Sequence, residues 1–393
     1  MNRKGERQGL LAEPLPAASP SQGQGEPIFV EVGALFTKHL TGIGRHVARL
    51  VQGLAQLAPL RLVSTISSAQ ARRLQLPNAL VCGQEMTVTK SDLPPMDPNL
   101  DGWVRDLVRR PRLRHATQLA GRSSCIFPAL RPAERHFRRE VSILHDFTPL
   151  IIPWAHVAET HTHFNAFFAH TLGLSDRAVA VSESTKADAS WLGALPPEQV
   201  VVGHPGPSLC DQAHAYPGPV TRRDNVIVIV ATLEPRKNGR FVFDWFLNTQ
   251  VFKRDMQLWW VGPKGWLDDA ATGRQAHERS DRRIRFLGMI PDRSLCQLYR
   301  QATFTIAPSL YEGFGFPVLD SLMHQTPVVS AFNSSLQEFA GPGVFYFDAY
   351  DPASLDRACE ELLAQGPMPL CREDLRAQFS WEGFARTVAA QCA

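Results

Sequence analysis

The stretch Val226-Ile-Val-Ile-Val-Ala-Thr-Leu-Glu-Pro-Arg-Lys-Asn238 decides how the chain is read. Its first five residues are an unbroken β-branched run, the pattern of a strand covered on both faces. A turn with two adjacent cations, Arg236 and Lys237, follows directly. Open parallel sheets bind ligands at the carboxyl ends of their strands, and paired cations at that edge suit a pyrophosphate. An isolated Arg-Lys pair is far more often a plain surface pair, so a second signal is needed.

Outward from this run, short apolar stretches alternate with helical periodicity in both directions, which predicts an α/β protein. Downstream, strands are expected at Leu258–Val261, Ile284–Leu287, Phe304–Ile306, Val328–Ser330 and Val344–Phe347, with Trp381–Gln391 as a closing helix. Upstream, strands are expected at Ile28–Val32, Leu60–Val63, Val141–Leu144, Ala178–Val181 and Val200–Val202. Between the first two of these, Ile43, Val47, Leu50, Val51, Leu54 and Leu57 recur at helical spacing. Pro, Gly and His take over from Gly203 to Gly218, the composition of an interdomain linker. Residues 70–122 give no clear pattern.

The expected organisation is a disordered tail (1–25), an N-terminal parallel-sheet domain (26–205), a linker (206–224), a second such domain (225–378) and a C-terminal helix (379–393). Two parallel sheets joined by a hinge would hold a ligand in the cleft between them.

Composition narrows the function. The 393 residues carry 41 Lys+Arg against 38 Asp+Glu, a formal charge of +3 that drives the chain toward neither nucleic acid nor membrane. No apolar run approaches the roughly 18 residues of a membrane span. The tail lacks an apolar h-region and is dominated by Pro, Gln, Gly and Ser, so a disordered tail rather than a signal peptide is expected. Seven scattered cysteines form no C-x-x-C pair, the usage of a reducing, cytoplasmic compartment. His156, His161, His163 and His170 cluster, but His-x-His does not share a helix face and no Cys or carboxylate pattern completes a metal site. Asp-x-Asp occurs nowhere, so a metal-independent reaction is expected, with no cofactor. Two Arg-rich stretches, Arg105 to Arg114 and Arg131 to Arg139, fit a solvated helix face or a peripheral contact with anionic lipid headgroups equally well. Neither interleaves aromatics as a nucleic-acid groove does.

The second signal is Pro308-Ser-Leu-Tyr-Glu-Gly-Phe-Gly-Phe-Pro-Val-Leu-Asp320. A strand runs into a glycine loop, and Pro317 sits at the first turn of a helix. The helix start would present the amides of Phe314, Gly315 and Phe316 to an anion. Glu312 and Asp320 flank it. Carboxylates beside a phosphate would repel it, so hydrogen bonds to sugar hydroxyls are the better use for them. A capped helix with two solvated acids is the plain alternative.

Together these segments resemble the retaining glycosyltransferases of family 4, which have the GT-B fold of two Rossmann-like domains; the resemblance implies that 26–205 is the acceptor domain and 225–378 the nucleotide-sugar domain. The carriers are Thr232-Leu-Glu-Pro-Arg-Lys-Asn238, Val261-Gly-Pro-Lys-Gly-Trp266, Arg285-Phe-Leu-Gly-Met-Ile-Pro291, Glu312-Gly-Phe-Gly-Phe-Pro317 and Phe379-Ser-Trp-Glu382. They occur in family order across the C-terminal half. The N-terminal matches are thinner: Thr41-Gly-Ile-Gly-Arg45, His145-Asp146 and Val181-Ser-Glu-Ser-Thr185.

The resemblance implies roles. Arg236 and Lys237 would neutralise the donor's diphosphate and stabilise it as it leaves. Glu312 would contact the transferred sugar, with His145 pointing to that sugar or to the acceptor. Asp320 takes the place of the family's usual second Glu, which holds the ribose; it is shorter by one methylene, which puts that role in question. Gly313, Phe314, Gly315 and Phe316 would bind sugar or phosphate. Gly42 and Gly44 would admit the distal phosphate, and Gly288 and Ile290 would lie beside the base. The implied partners are a nucleotide-diphosphate sugar as donor substrate and a carbohydrate or glycolipid acceptor. The likeness is greatest to bacterial mannosyltransferases of polysaccharide biosynthesis, which favours GDP-mannose. UDP-glucose, dTDP-rhamnose, and a non-catalytic nucleotide-sugar-binding protein remain alternatives.

Overall fold

A computed structural model describes residues 27–35, 42–63, 84–88, 113–115, 123–129, 135, 137–209, 225–265, 281–366, 370 and 373–393. The tail 1–25, Thr41, linker residues 210–224, Trp266, Cys82, Cys210, Cys371 and the arginines at 105, 109, 110, 112 and 131 lie outside the described residues.

Two sheets form the frame. The N-terminal sheet contains β1 (Ile28–Glu31), β2 (Leu60–Val63), β3 (Gln84–Val88), β4 (Leu113–His115), β5 (Ser124–Phe127), β6 (Arg139–Leu144), β7 (Arg177–Ala180) and β8 (Val200–Val202). Their order is β4-β3-β2-β1-β5-β6-β7-β8. The second sheet contains β9 (Val226–Val230), β10 (Gln257–Val261), β11 (Ile284–Gly288), β12 (Phe304–Ala307), β13 (Val328–Ala331) and β14 (Val344–Phe347), in the order β11-β10-β9-β12-β13-β14. Every neighbouring pair in the second sheet is parallel. The N-terminal sheet is parallel except that β3 runs antiparallel to both β2 and β4, an extension that the pattern around residues 70–122 did not announce.

The helices are α1 (Gly42–Leu54), α2 (Thr148–Ile151), α3 (Ala158–Leu174), α4 (Glu183–Trp191), α5 (Gly239–Asn248), α6 (Asp292–Gln301), α7 (Phe316–Met323), α8 (Pro352–Gln365), α9 (Glu373–Gln378) and α10 (Trp381–Ala390). Among the described residues none is long and apolar enough to cross a membrane.

Strand β9 shows why its sequence is apolar throughout. Ile227 and Ile229 belong to the main core, whereas Val226 and Val228 pack on the other face with Val261 and Leu298. Helices therefore cover both faces of the sheet, as an all-apolar parallel strand requires.

The C-terminal helix returns to the N-terminal half. A Cβ on Gly53 of α1 would lie 2.8 Å from the Ala385 Cβ of α10, so the two helices cross closely. Trp381 Nε1 donates to the Pro207 carbonyl at 2.8 Å, and Ser124 Oγ donates to the Cys392 carbonyl at 2.7 Å. Arg135, from the second arginine-rich stretch, is tied down by Asp176 at 2.5 Å and by the Arg138 carbonyl at 2.6 Å.

Candidate active site

The two cations stand where the sequence placed them, in a single 3-10 turn, Pro235–Lys237, beyond the carboxyl end of β9. The turn closes on Asn238, whose φ of +55° is left-handed, a conformation asparagine tolerates better than most residues. The Asn238 side chain then anchors it by donating to the Ala349 carbonyl at 2.8 Å. The Arg236 carbonyl accepts from the Leu310 amide at 2.8 Å, which ties the turn to the loop after β12.

That loop carries Glu312, and both cations converge on it. Lys237 Nζ bonds one carboxylate oxygen, and Arg236 reaches the other at 3.2 Å. Ser309 Oγ donates to Glu312 at 2.6 Å, and the Ser334 hydroxyl accepts from the Glu312 amide at 2.9 Å. Arg236 is also paired with Glu234. Burial works to raise the Glu312 pKa, yet the Lys237 and Arg236 charges override it and hold the group at about 2. Lys237 moves down, through burial and then the like charge of Arg236. Burial disfavours the Arg236 charge, but Glu312 and Glu234 outweigh it and its pKa rises. For Glu234 burial wins over the cations, and its pKa rises. Two cations and two acids form one largely buried network, in which the Arg236 side chain keeps 19% exposure.

The amides of Phe314 and Gly315 have no acceptor among the described residues. Gly315 caps α7 with a φ of +111°, and a Cβ there would meet Leu336 at 2.8 Å and Phe339 at 3.0 Å. Only glycine fits. Phe314 is buried among Phe316, Phe339 and Phe379, which fixes the backbone while its ring stays in the core.

The other half of the site comes from the N-terminal domain. His145 follows β6; its Nε2 pairs with the Pro128 carbonyl at 2.6 Å, and burial lowers its pKa. Asp146 accepts from the Thr148 hydroxyl at 2.8 Å and the Thr148 amide at 3.1 Å, at the entry to α2. Gly313 presses against this segment. Its carbonyl accepts from Ser182 Oγ at 2.6 Å and Thr185 Oγ1 at 3.0 Å. Tyr311 donates to Asp188 of α4 at 2.8 Å, and Glu338 accepts from the Ser184 amide at 3.0 Å. The two domains are thus clasped on the Glu312 side of the cleft.

On the other side, Arg45 in the first turn of α1 pairs with Asp292 at 2.6 Å. This brings Gly42 and Gly44 opposite the turn containing Gly288 and Ile290, which runs directly into Asp292. Gly288 has a φ of +66° and open space around its missing Cβ.

Asp320, buried in α7, is turned to the interdomain strand of chain. One carboxylate oxygen accepts the Ser208 amide at 2.9 Å and the Leu209 amide at 3.3 Å, and the other takes the Ser208 hydroxyl. Three of the roughly four acceptor positions of a carboxylate are filled by the interdomain strand of chain.

The fold draws further residues toward the cations: His156 and Asp188, which pattern reading missed as site residues, and Asp146, quoted above beside His145. His156, set aside above as a failed metal ligand, has its pKa lowered by burial and then by the Arg236 charge. Asp146 acts on Arg236, His156 and Asp188 alike. Asp188 is raised by burial and by Asp146, against the Tyr311 hydrogen bond. No local spacing links positions 146, 156, 188 and 311; only the closed cleft does. Among the described residues no three His, Cys, Asp or Glu are placed to hold a metal ion.

A strand-end cation pair and an acid-bearing helix start sit side by side on one edge of the C-terminal sheet, against the N-terminal domain, an arrangement suited to a nucleotide sugar. Comparison with known proteins agrees. Residues 224–365 match the family described as glycosyl transferases group 1. That match covers most of the C-terminal domain, and the two-sheet fold is that of GT-B glycosyltransferases. O-antigen chain mannosyltransferase B of Escherichia coli is 28% identical over 262 residues, which cover 62% of this chain and 67% of that protein. The serotype-specific mannosyltransferase WbdA of the same species is 25% identical over 240 residues, but the match spans only 29% of it. Sucrose-phosphate synthase from Thermosynechococcus elongatus superposes with a TM-score of 0.64 at 15% identity, covering 93% of this chain and 98% of that one. Anabaena HepE in complex with UDP-glucose gives 0.59 at 14% identity, again over 93% and 98%. At these identities the structures share the fold.

Proposed function

We propose that this glycosyltransferase moves a hexose, mannose from GDP-mannose, to a hydroxyl of a carbohydrate or lipid-linked oligosaccharide in polysaccharide biosynthesis. The observation that carries the reading is the convergence of Arg236 and Lys237 on Glu312 at adjoining strand ends. Diphosphate binding replaces Glu312 as the partner of the cations, and electrostatic stabilisation then acts where charge develops on the leaving nucleoside diphosphate. Glu312, released from the cations, turns its acceptor oxygens to the sugar hydroxyls. The unbonded amides of Phe314 and Gly315 lie beside the same spot. His145, held through Nε2, presents its other face to the sugar. Closure of the two domains excludes the water that would hydrolyse the donor.

The mannosyl assignment rests on the O-antigen mannosyltransferases among the relatives. The anomeric configuration is retained, and a donor phosphate oxygen takes the acceptor's proton, so no protein nucleophile is required. We place the work at the cytoplasmic side, where nucleotide sugars are available. A thermal-shift screen with GDP-mannose, UDP-glucose, UDP-N-acetylglucosamine and dTDP-rhamnose tests the donor directly, because ligand binding to the folded state raises the melting temperature. GDP-mannose should give the largest shift. A larger shift with a uridine or thymidine donor overturns that choice.

A further inference from the structure

Two large aromatic side chains stand in solvent on the same sheet edge as Arg236, Lys237 and Glu312. Phe332, the residue after β13, is 60% exposed, and Tyr350, three residues past β14, is 72% exposed. The two strand ends are laced together: the Phe332 amide donates to the Phe347 carbonyl at 2.9 Å. The Phe332 ring stands edge-on to Tyr346 at 5.2 Å, and the Tyr346 hydroxyl is committed to the Leu336 carbonyl at 2.9 Å. Tyr350 is held from behind by its own amide, which donates to Asp348 at 2.9 Å.

Short paths join this patch to the candidate site. Ala349, next to Tyr350, is the residue whose carbonyl anchors Asn238 of the cation turn. Ser334, two residues past Phe332, accepts from the Glu312 amide. The strand order puts β13 and β14 at the far end of the sheet from β11, whose Gly288–Ile290 turn is assigned to the base.

The chemistry of the patch selects its occupant. Exposed aromatic faces favour apolar C–H surface; of the neighbouring acids, Asp348 is exposed, whereas Asp351 caps α8 through the Ala353 amide at 2.9 Å and pairs with Arg357 at 3.2 Å. An exposed acid beside an Arg357 already paired with Asp351 gives a nucleotide phosphate or an anionic membrane little to hold here. A neutral pyranose offers C–H groups on one face and hydroxyls around its rim. We propose that Phe332 and Tyr350 form an aromatic subsite that stacks a sugar ring of a neutral oligosaccharide acceptor, beyond the ring that carries the reacting hydroxyl. The subsite rests on the glycosyltransferase reading above and extends it to acceptor length.

The test is calorimetric titration of the full-length protein with neutral mannotriose, maltotriose and cellotriose and with methyl α-mannoside, with and without GDP. The wild type should bind at least one trisaccharide more tightly than the monosaccharide. Phe332→Ala and Tyr350→Ala should each weaken that binding about tenfold, the scale of one aromatic contact. Phe332→Tyr should retain it, and GDP affinity and melting temperature should stay as in wild type. The subsite is overturned if the wild type binds none of the trisaccharides or binds them no better than the monosaccharide. Wild-type saccharide affinity in the Phe332→Ala, Tyr350→Ala double variant also overturns it. So does a double variant that loses GDP, or phosphatidylglycerol vesicles, instead of saccharide. Absence of GDP binding to the wild type would count against the transferase reading alone, because the saccharide titration without GDP still reports on the patch.

Discussion

A Cβ on residue 313 would lie 1.8 Å from the carbonyl oxygen of His145, so Gly313 and His145 meet backbone to backbone across the cleft. Gly313 comes from the loop that carries Glu312, and His145 from the end of β6. Their contact sets how closely the two halves of the site approach. Gly313→Ala cannot be accommodated by a rotamer change, because the obstacle is backbone on both sides. It should force the domains apart and lower turnover about 100-fold, the scale of a misplacement near 1 Å. Initial rates at saturating donor, beside an unchanged far-UV spectrum, check this.

Glu312 competes with a diphosphate for the same two cations. Glu312→Gln removes the competing charge, so GDP affinity should hold or improve while turnover falls by about 100-fold or more. The fold should weaken too, since Lys237 and Arg236 lose a buried counter-charge. Parallel GDP titration, rate measurement and melting curves separate the three effects. A parallel loss of GDP affinity would show that Glu312 supports the diphosphate instead of yielding to it.

Asp320 makes stability depend on pH in a distinctive direction. Burial raises its pKa from 3.8 to about 7 in spite of the Ser208 and Leu209 donors, with Asp292 adding to the rise. Across that window the folded chain keeps a proton that the unfolded chain releases. Its contribution to stability is therefore full below about pH 4, declines as pH rises, and is lost above about 7. Asp320→Asn should flatten this decline in denaturant midpoints measured from pH 4.5 to 8. A variant that follows the wild-type slope would remove Asp320 as its source.

His46 gives the opposite sign. It is buried against His145, Trp381 and Phe384, and neither ring nitrogen has a hydrogen-bond partner among the described residues. Burial, then the charge of His145, push its pKa well below 6.5. Below about pH 6.5 the unfolded chain takes up a proton that the folded chain refuses, and stability falls. His46→Phe keeps the edge-on aromatic contacts and removes two unsatisfied nitrogens. It should raise stability by about 1–3 kcal/mol and blunt the loss on acidification. Thermal melts at pH 5.5 and 7.5 test both effects.

Much of the frame was legible because β9 needs apolar residues on both faces, and Val226 to Val230 supply them without interruption. The cation turn and the Glu312 loop were legible for a related reason: strand ends in such a sheet are where a local motif becomes a site. Strand β5 escaped, since Ser124-Cys-Ile-Phe127 has little β-branched character and owes its place to the strands on either side. Asp146 and Tyr311 fall inside the quoted motifs, but His156 and Asp188 left no mark in sequence spacing, because they join that group only through the packing of the two domains. Asp320 shows the limit of motif matching. Its position is that of the family's acid, but its hydrogen bonds are set by Ser208, which lies over a hundred residues away in sequence.

The central claim is that Arg236 and Lys237 bind a diphosphate. Calorimetric titration of GDP and UDP into the wild type, Arg236→Ala and Arg236→Lys tests it most directly. Loss of a charge-assisted contact of this kind removes about 2 kcal/mol or more, roughly 30-fold in affinity. Arg236→Ala should show that loss for at least one nucleotide, with partial recovery in Arg236→Lys. A folded Arg236→Ala protein that binds both nucleotides as tightly as the wild type would contradict the account.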